Sequence, residues 1–140
     1  MKDLARIASE LDILEKVQTD LATIALRTDD RRRQDLIELR RQLSQQIAEV
    51  GRLAEPVFSS AAGADLAPTY RSLFSKMRSM AAIHQAKWPA VRLGEGDTAK
   101  EYSQSAVGVR EANREFVAWM RDAIVKLEAA IRRNRSASSE

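Results

Sequence analysis

The chain has 140 residues, 44% of them hydrophobic and 31% charged, with a net charge of +3; that is the size and balance of one compact soluble domain able to bury roughly 70% of its unfolded surface. The lack of cysteine excludes a disulfide framework and a thiolate metal site. No apolar run approaches the ~18 residues of a membrane span, and the opening residues Met1 to Arg6 lack the apolar core of a secretory signal, so a cytoplasmic protein with no membrane partner is expected.

Low aromatic content, with only five glycines and three prolines, favours helix throughout. In the first segment Leu4, Ile7, Leu11, Leu14, Val17, Leu21 and Ile24 step by three or four, the interval that keeps side chains on one helical face. They predict one helix of about seven turns. Thr28, Asp29 and Asp30 break the pattern, and each can cap a second helix through a side-chain oxygen. Its stripe is Leu36, Leu39, Leu43, Ile47, Val50 and Leu53, with Arg31, Arg32, Arg33, Arg40, Arg41 and Arg52 at its start and flanks, and Pro56 is expected to end it. So short a link between two amphipathic helices predicts an antiparallel hairpin.

Residues 56–67 carry no period and read as a linker to a second hairpin. Pro68 suits the first turn of a third helix, striped by Tyr70, Leu73, Phe74, Met77, Met80, Ala81 and His84, and Pro89 should kink or end it near Trp88. Thr98 and Glu101 form a capping box for a fourth helix of about nine turns, striped by Tyr102, Ala106, Val109, Asn113, Phe116, Met120, Ile124, Leu127 and Ile131. The expected fold is all-α, an antiparallel four-helix bundle built from two long helical hairpins. It forms one domain over 1–133, with a disordered tail over 134–140. An elongated homodimer would bury the same stripes.

His84 is the sole histidine. Lys87 three residues on, then Leu93 and Gly94 at nine and ten, match the spacing around the phosphorylated histidine of the histidine-phosphotransfer family, which the segment resembles. The resemblance implies a phosphorelay role in which His84 is the nucleophile and Lys87 offsets charge on the phosphohistidine. Where that family keeps a small residue after the lysine, this chain has Trp88 and Pro89. At about 100° per residue His84 also falls within about 20° of Met77, in the middle of the apolar stripe. The other reading is a buried, neutral histidine bonded to a neighbouring helix, with the Tyr102 hydroxyl opposite it as partner.

Asn113 interrupts the last stripe and reads as a register pin, because a buried amide favours the one alignment that satisfies it. One histidine without cysteine gives no metal site, and no cofactor motif or Gly-rich phosphate loop is present, so no enzymatic activity is expected. Two arginine clusters, at 31–33 and at 132, 133 and 135, invite nucleic acid. The first is interleaved with Asp29, Asp30 and Asp35, neither has an aromatic stacking platform, and the second suits a helix C-terminus. What remains is protein–protein interaction of the adaptor, regulator or export-chaperone type. The chain is similar in size and helical make-up to flagellar and secretion chaperones but carries no motif specific to them. Trp88, Val91 and Leu93 are the expected contact residues, since a bulky aromatic beside a helix-breaking proline and branched apolar residues is wasteful in a plain loop.

Overall fold

The computed structural model describes residues 2–24, 26–89 and 99–138. Four helices, α1 (Lys2–Ile24), α2 (Arg32–Ser59), α3 (Ala67–Lys87) and α4 (Ala99–Ser138), follow one another with a single 3₁₀ turn at Ala61–Gly63, and no strand occurs among the described residues. At 1.5 Å per residue they are about 35, 42, 32 and 60 Å long. Among the described residues no helix is long and apolar enough to cross a membrane.

Each helix packs on its chain neighbours, and α1 closes the bundle against α4. Cross-helix pairs fix the directions. Arg6 meets Glu49 while Gln46 reaches the Glu10 carbonyl, so α1 and α2 run antiparallel. Lys76 pairs with Glu115 and His84 with Ser105, so α3 and α4 do as well. Arg121 of α4 binds Asp12 and Glu15 of α1, the ion pairs that bridge the closing face. The stripes drive this assembly: Leu4, Ile7, Leu11, Leu14 and Val17 of α1 enter one core with Leu43, Ile47 and Val50 of α2, Tyr70 and Met77 of α3, and Phe116, Met120 and Leu127 of α4. No helix buries its stripe without the others.

The two ends of the bundle differ in chemistry. At the end where α2 passes to α3, Phe58 stacks on Tyr70 at 4.4 Å between ring centroids and 11° between planes, and Phe74, Phe116 and Trp119 complete the cluster. Stacked and tilted pairs of this kind each add about 0.5–1.5 kcal/mol beyond area burial. Burial also pushes the Tyr70 hydroxyl up to about 12. Two glycines permit the packing. A Cβ on Gly51 would lie 2.7 Å from the Phe74 ring, and one on Gly63 would lie 2.4 Å from the Val57 carbonyl oxygen and 2.8 Å from the Phe58 Cα. At Gly63 the obstacle is backbone, so nothing can move aside.

Several sequence expectations are corrected here. Pro56 does not end α2; it sits inside the helix, which continues to Ser59. The ring removes one backbone donor, and the extra turn carries Phe58 into full burial under Tyr70, which offsets that loss. The linker therefore contracts to residues 60–66. At the other end, no side chain caps α2: its N-cap position is Arg31, without a side-chain bond. The Asp29 carboxylate instead accepts from the Arg27 guanidinium at 2.7 and 2.6 Å, and Arg27 also reaches Asp35 at 2.9 Å, clamping the α1–α2 turn. Arg27 is the main reason the Asp29 carboxyl falls to about 2. Finally, α4 stays helical through 134–138, where composition predicts a disordered tail, with residues 132–136 exposed to solvent. Pro68 in the first turn of α3 and the end of α3 at Lys87, before Pro89, are as expected. Thr98 of the capping box lies outside the described residues; α4 begins directly after it at Ala99.

Candidate functional site

At the opposite end from the aromatic cluster the same four stripes bring polar groups inside. Among the described residues Gln18 of α1, Arg40 of α2, His84 of α3 and Asn113 of α4 are the buried polar side chains, and the first three line one cavity of about 50 Å³.

Arg40 lies on the line Leu36, Arg40, Leu43, Ile47, one helical turn from each neighbour, so the repeat that builds the core also drives this guanidinium inward until only 9% of the residue is exposed. Its Nη1 donates to the Trp88 carbonyl oxygen at 2.7 Å. That carbonyl ends α3, whose last turn leaves acceptors unpaired and carries the negative end of the helix dipole, so the contact is a C-terminal cap supplied from α2. Arg40 Nη2 is buried without a hydrogen-bond partner. Burial pulls the Arg40 pKa down, opposed by the Tyr102 side chain, with no acidic residue among the described ones acting on it. An arginine stays charged under such a shift.

His84 is 8% exposed, and its Nδ1 lies 2.7 Å from Ser105 Oγ. Either tautomer makes this bond, the ring donating or accepting. Tyr102, the partner expected from the sequence, instead packs its ring 5.3 Å from the imidazole, while its hydroxyl serves Arg40. The imidazole pKa is pulled down to about 4, by burial first and by the Arg40 charge second. A Ser–His pair works as base and nucleophile when a carboxylate stabilises the imidazolium; here a guanidinium opposes it. The ring is neutral at pH 7 and held between helices. Lys87 is exposed with its Nζ 5.7 Å from the centre of the Trp88 ring.

Trp88, half-buried, meets Tyr102 edge-on at 5.7 Å and has a buried Nε1 without a partner. Val91 and Leu93, the other expected contact residues, lie outside the described residues, as does Gly94. Among the described residues no three His, Cys, Asp or Glu side chains gather where a metal ion could sit.

The cavity backs onto a second feature. An open groove of about 770 Å³ runs between α1 and α4, with Glu15, Thr19, Ala22 and Leu26 on one wall and Arg110, Arg114, Val117, Ala118 and Arg121 on the other. Gln18, Ala22 and Arg110 line both cavity and groove. Leu26, at its end, is 84% exposed. Arg121 is committed to Asp12 and Glu15, whereas Arg110 and Arg114 have no ion pair among the described residues.

No family model, curated protein sequence or solved structure matches this chain. The site must therefore be judged on its own chemistry. Sequence reasoning missed Arg40, Gln18 and Ser105. Arg40 had a legible signal, its place one helical turn from both Leu36 and Leu43, on the face that the stripe shares between positions 39 and 40. Gln18 follows Leu14 at the same interval, at the edge of its stripe. Ser105 had none, because the α3–α4 register depends on the connection between the helices.

Proposed function

We propose that the protein acts by binding another protein and that the binding surface is the α1–α4 groove. The occupant that fits is one amphipathic helix with acidic residues on its flank. Helix-in-groove recognition lays an apolar face along such a trough, and Ala22, Leu26 and Ala118 provide the apolar strip here, with the buried Val117 at its floor. The groove itself carries the reading, since two of its arginines, Arg110 and Arg114, stand without ion-pair partners among the described residues. Opposite charge on an incoming helix would steer and orient it. An adaptor, a regulator and an export chaperone would all use such a surface. A cytoplasmic setting suits a chain without cysteine, whose folding needs no oxidising compartment.

The test is site-specific photocrosslinking in the native host. A photoreactive residue replacing the exposed Ala118 of the groove should capture one protein through a helical, acid-flanked peptide. The same probe at the exposed Ala82 of α3 should not. Charge reversal at Arg110→Glu and Arg114→Glu should abolish the crosslink. Equal capture at both probe sites, or capture indifferent to charge reversal, overturns the assignment. A crosslink to a second copy of this chain would replace the partner helix with a homodimer. Phosphotransfer through His84 has the buried ring against it, and failure to accept phosphate from acetyl phosphate is the expected result.

A further inference from the structure

Arg40 brings a positive charge into the bundle with no acidic side chain among the described residues to meet it. Leaving a buried cation uncompensated is among the costliest arrangements a core can hold. Its Nη1 is spent on a neutral carbonyl and the Tyr102 phenol is a neutral neighbour, while its Nη2 is buried and unpartnered. From the facing helix, the Gln18 amide brings a second buried, unpartnered donor, Nε2, on a residue that is 8% exposed. Both residues line the same cavity, whose other walls include Leu21, Leu36, Leu43 and Val109.

We propose that this cavity is a binding site for a small aliphatic monocarboxylate, whose carboxylate is taken by Arg40 and Gln18 and whose short alkyl tail lies against the leucines. Charge selects the class. A water in the cavity would leave the guanidinium without a counter-ion. A phosphate dianion would need a second buried cation, and Arg110, the other arginine on the lining, is only half-buried and also faces the open groove. Guanidinium and carboxylate match as planar forks, and a carboxylate's two oxygens can accept from both donors. Size sets the tail. About 50 Å³ exceeds the roughly 10–15 Å³ that a single water needs, and it confines the ligand to a few heavy atoms. His84, neutral and bonded to Ser105, completes the wall without adding charge.

Propionate is the probe. Full-length protein in chloride buffer at pH 7 is titrated with sodium propionate at constant ionic strength, read by calorimetry and by the NMR signals of the Gln18 amide and the His84 ring. The expected result is saturable binding, perturbation of both residues and a melting temperature that rises with propionate but not with chloride. Propionamide, neutral and of the same shape, should not bind. Arg40→Gln should weaken propionate binding at least tenfold. Because Arg40→Gln also removes the cap on α3, Gln18→Leu serves as a second variant and should weaken binding while leaving that cap in place. Glu95→Gln with Asp97→Asn, at positions outside the described residues, should leave binding unchanged. Propionate acting no differently from chloride overturns the proposal. So does binding that appears only in the Glu95→Gln/Asp97→Asn variant, which would make a carboxylate of this chain the native counter-ion. Loss of the partner crosslink with propionate binding intact would refute the groove and leave this site standing.

Discussion

A single histidine in a 140-residue chain gives an unusually clean handle on stability. His84 titrates at about 4 in the folded state because burial and the Arg40 charge disfavour its protonated form, against ~6.5 in an unfolded chain. As pH falls, the unfolded state therefore binds the proton first. The contribution is full above pH ~6.5 and drains away as pH falls toward 4. At about 1.36 kcal/mol per unit, the loss amounts to about 2 kcal/mol at pH 5 and about 3 kcal/mol at pH 4. That is a large share of the roughly 5–15 kcal/mol that holds a small domain together. Between pH ~7 and 5 the α-amino group and most carboxylates keep their ordinary charge, so one ring dominates the window. Urea unfolding at half-unit steps across that window should show stability falling by about 2 kcal/mol, while His84→Gln stays flat. A wild-type loss below about 0.5 kcal/mol, or a ring titrating near ~6.5 by NMR, would refute the burial argument.

Gly63→Ala should cost about 1–3 kcal/mol in a chemical melt, because its methyl meets the Val57 and Phe58 backbone. Gly108→Ala should cost nothing, since only the flexible Met80 Cε lies near, at 3.0 Å, and alanine favours helix; equal losses at both glycines would show that the close approach at Gly63 is not what matters. Asn113→Leu should raise the melting temperature by several degrees without altering the mass seen in light scattering, because the amide's bond is to the Met77 thioether at 3.4 Å, a weak acceptor that recovers little of the burial cost. A changed mass would restore the register-pin role, whereas a lower melting temperature with the mass unchanged would show that the amide is held by a hydrogen-bond network of its own.

The helices were legible because their signal is local. A stripe stepping by three or four identifies its own face, and Leu4 to Ile24, or Val109 to Leu127, need no knowledge of the rest of the chain. Places where distant residues decide were harder to read. Pro56 marks a helix end by its own chemistry, and only the burial of Phe58 under Tyr70 explains why the helix carries on. Arg40 reads as a solvated flank because arginine usually is one; Leu39, which the stripe includes instead, is half-buried and packs on the small Ile24–Leu36 cluster. The burial of His84 followed from its position on the stripe. Its partner did not, since Ser105 rather than Tyr102 faces it only through the pairing of α3 with α4.

The division of the bundle into an aromatic end and a polar end also sets where the molecule opens. Backbone amides around Phe58, Tyr70 and Phe116 should exchange with solvent only when the whole domain unfolds. Those around Gln18, Arg40 and His84, with unpartnered donors and a void beside them, should exchange through smaller openings. The aromatic end should then stay closed while the polar end opens locally, within the limits set by the Arg27 clamp on the α1–α2 turn and the Arg40 cap on α3.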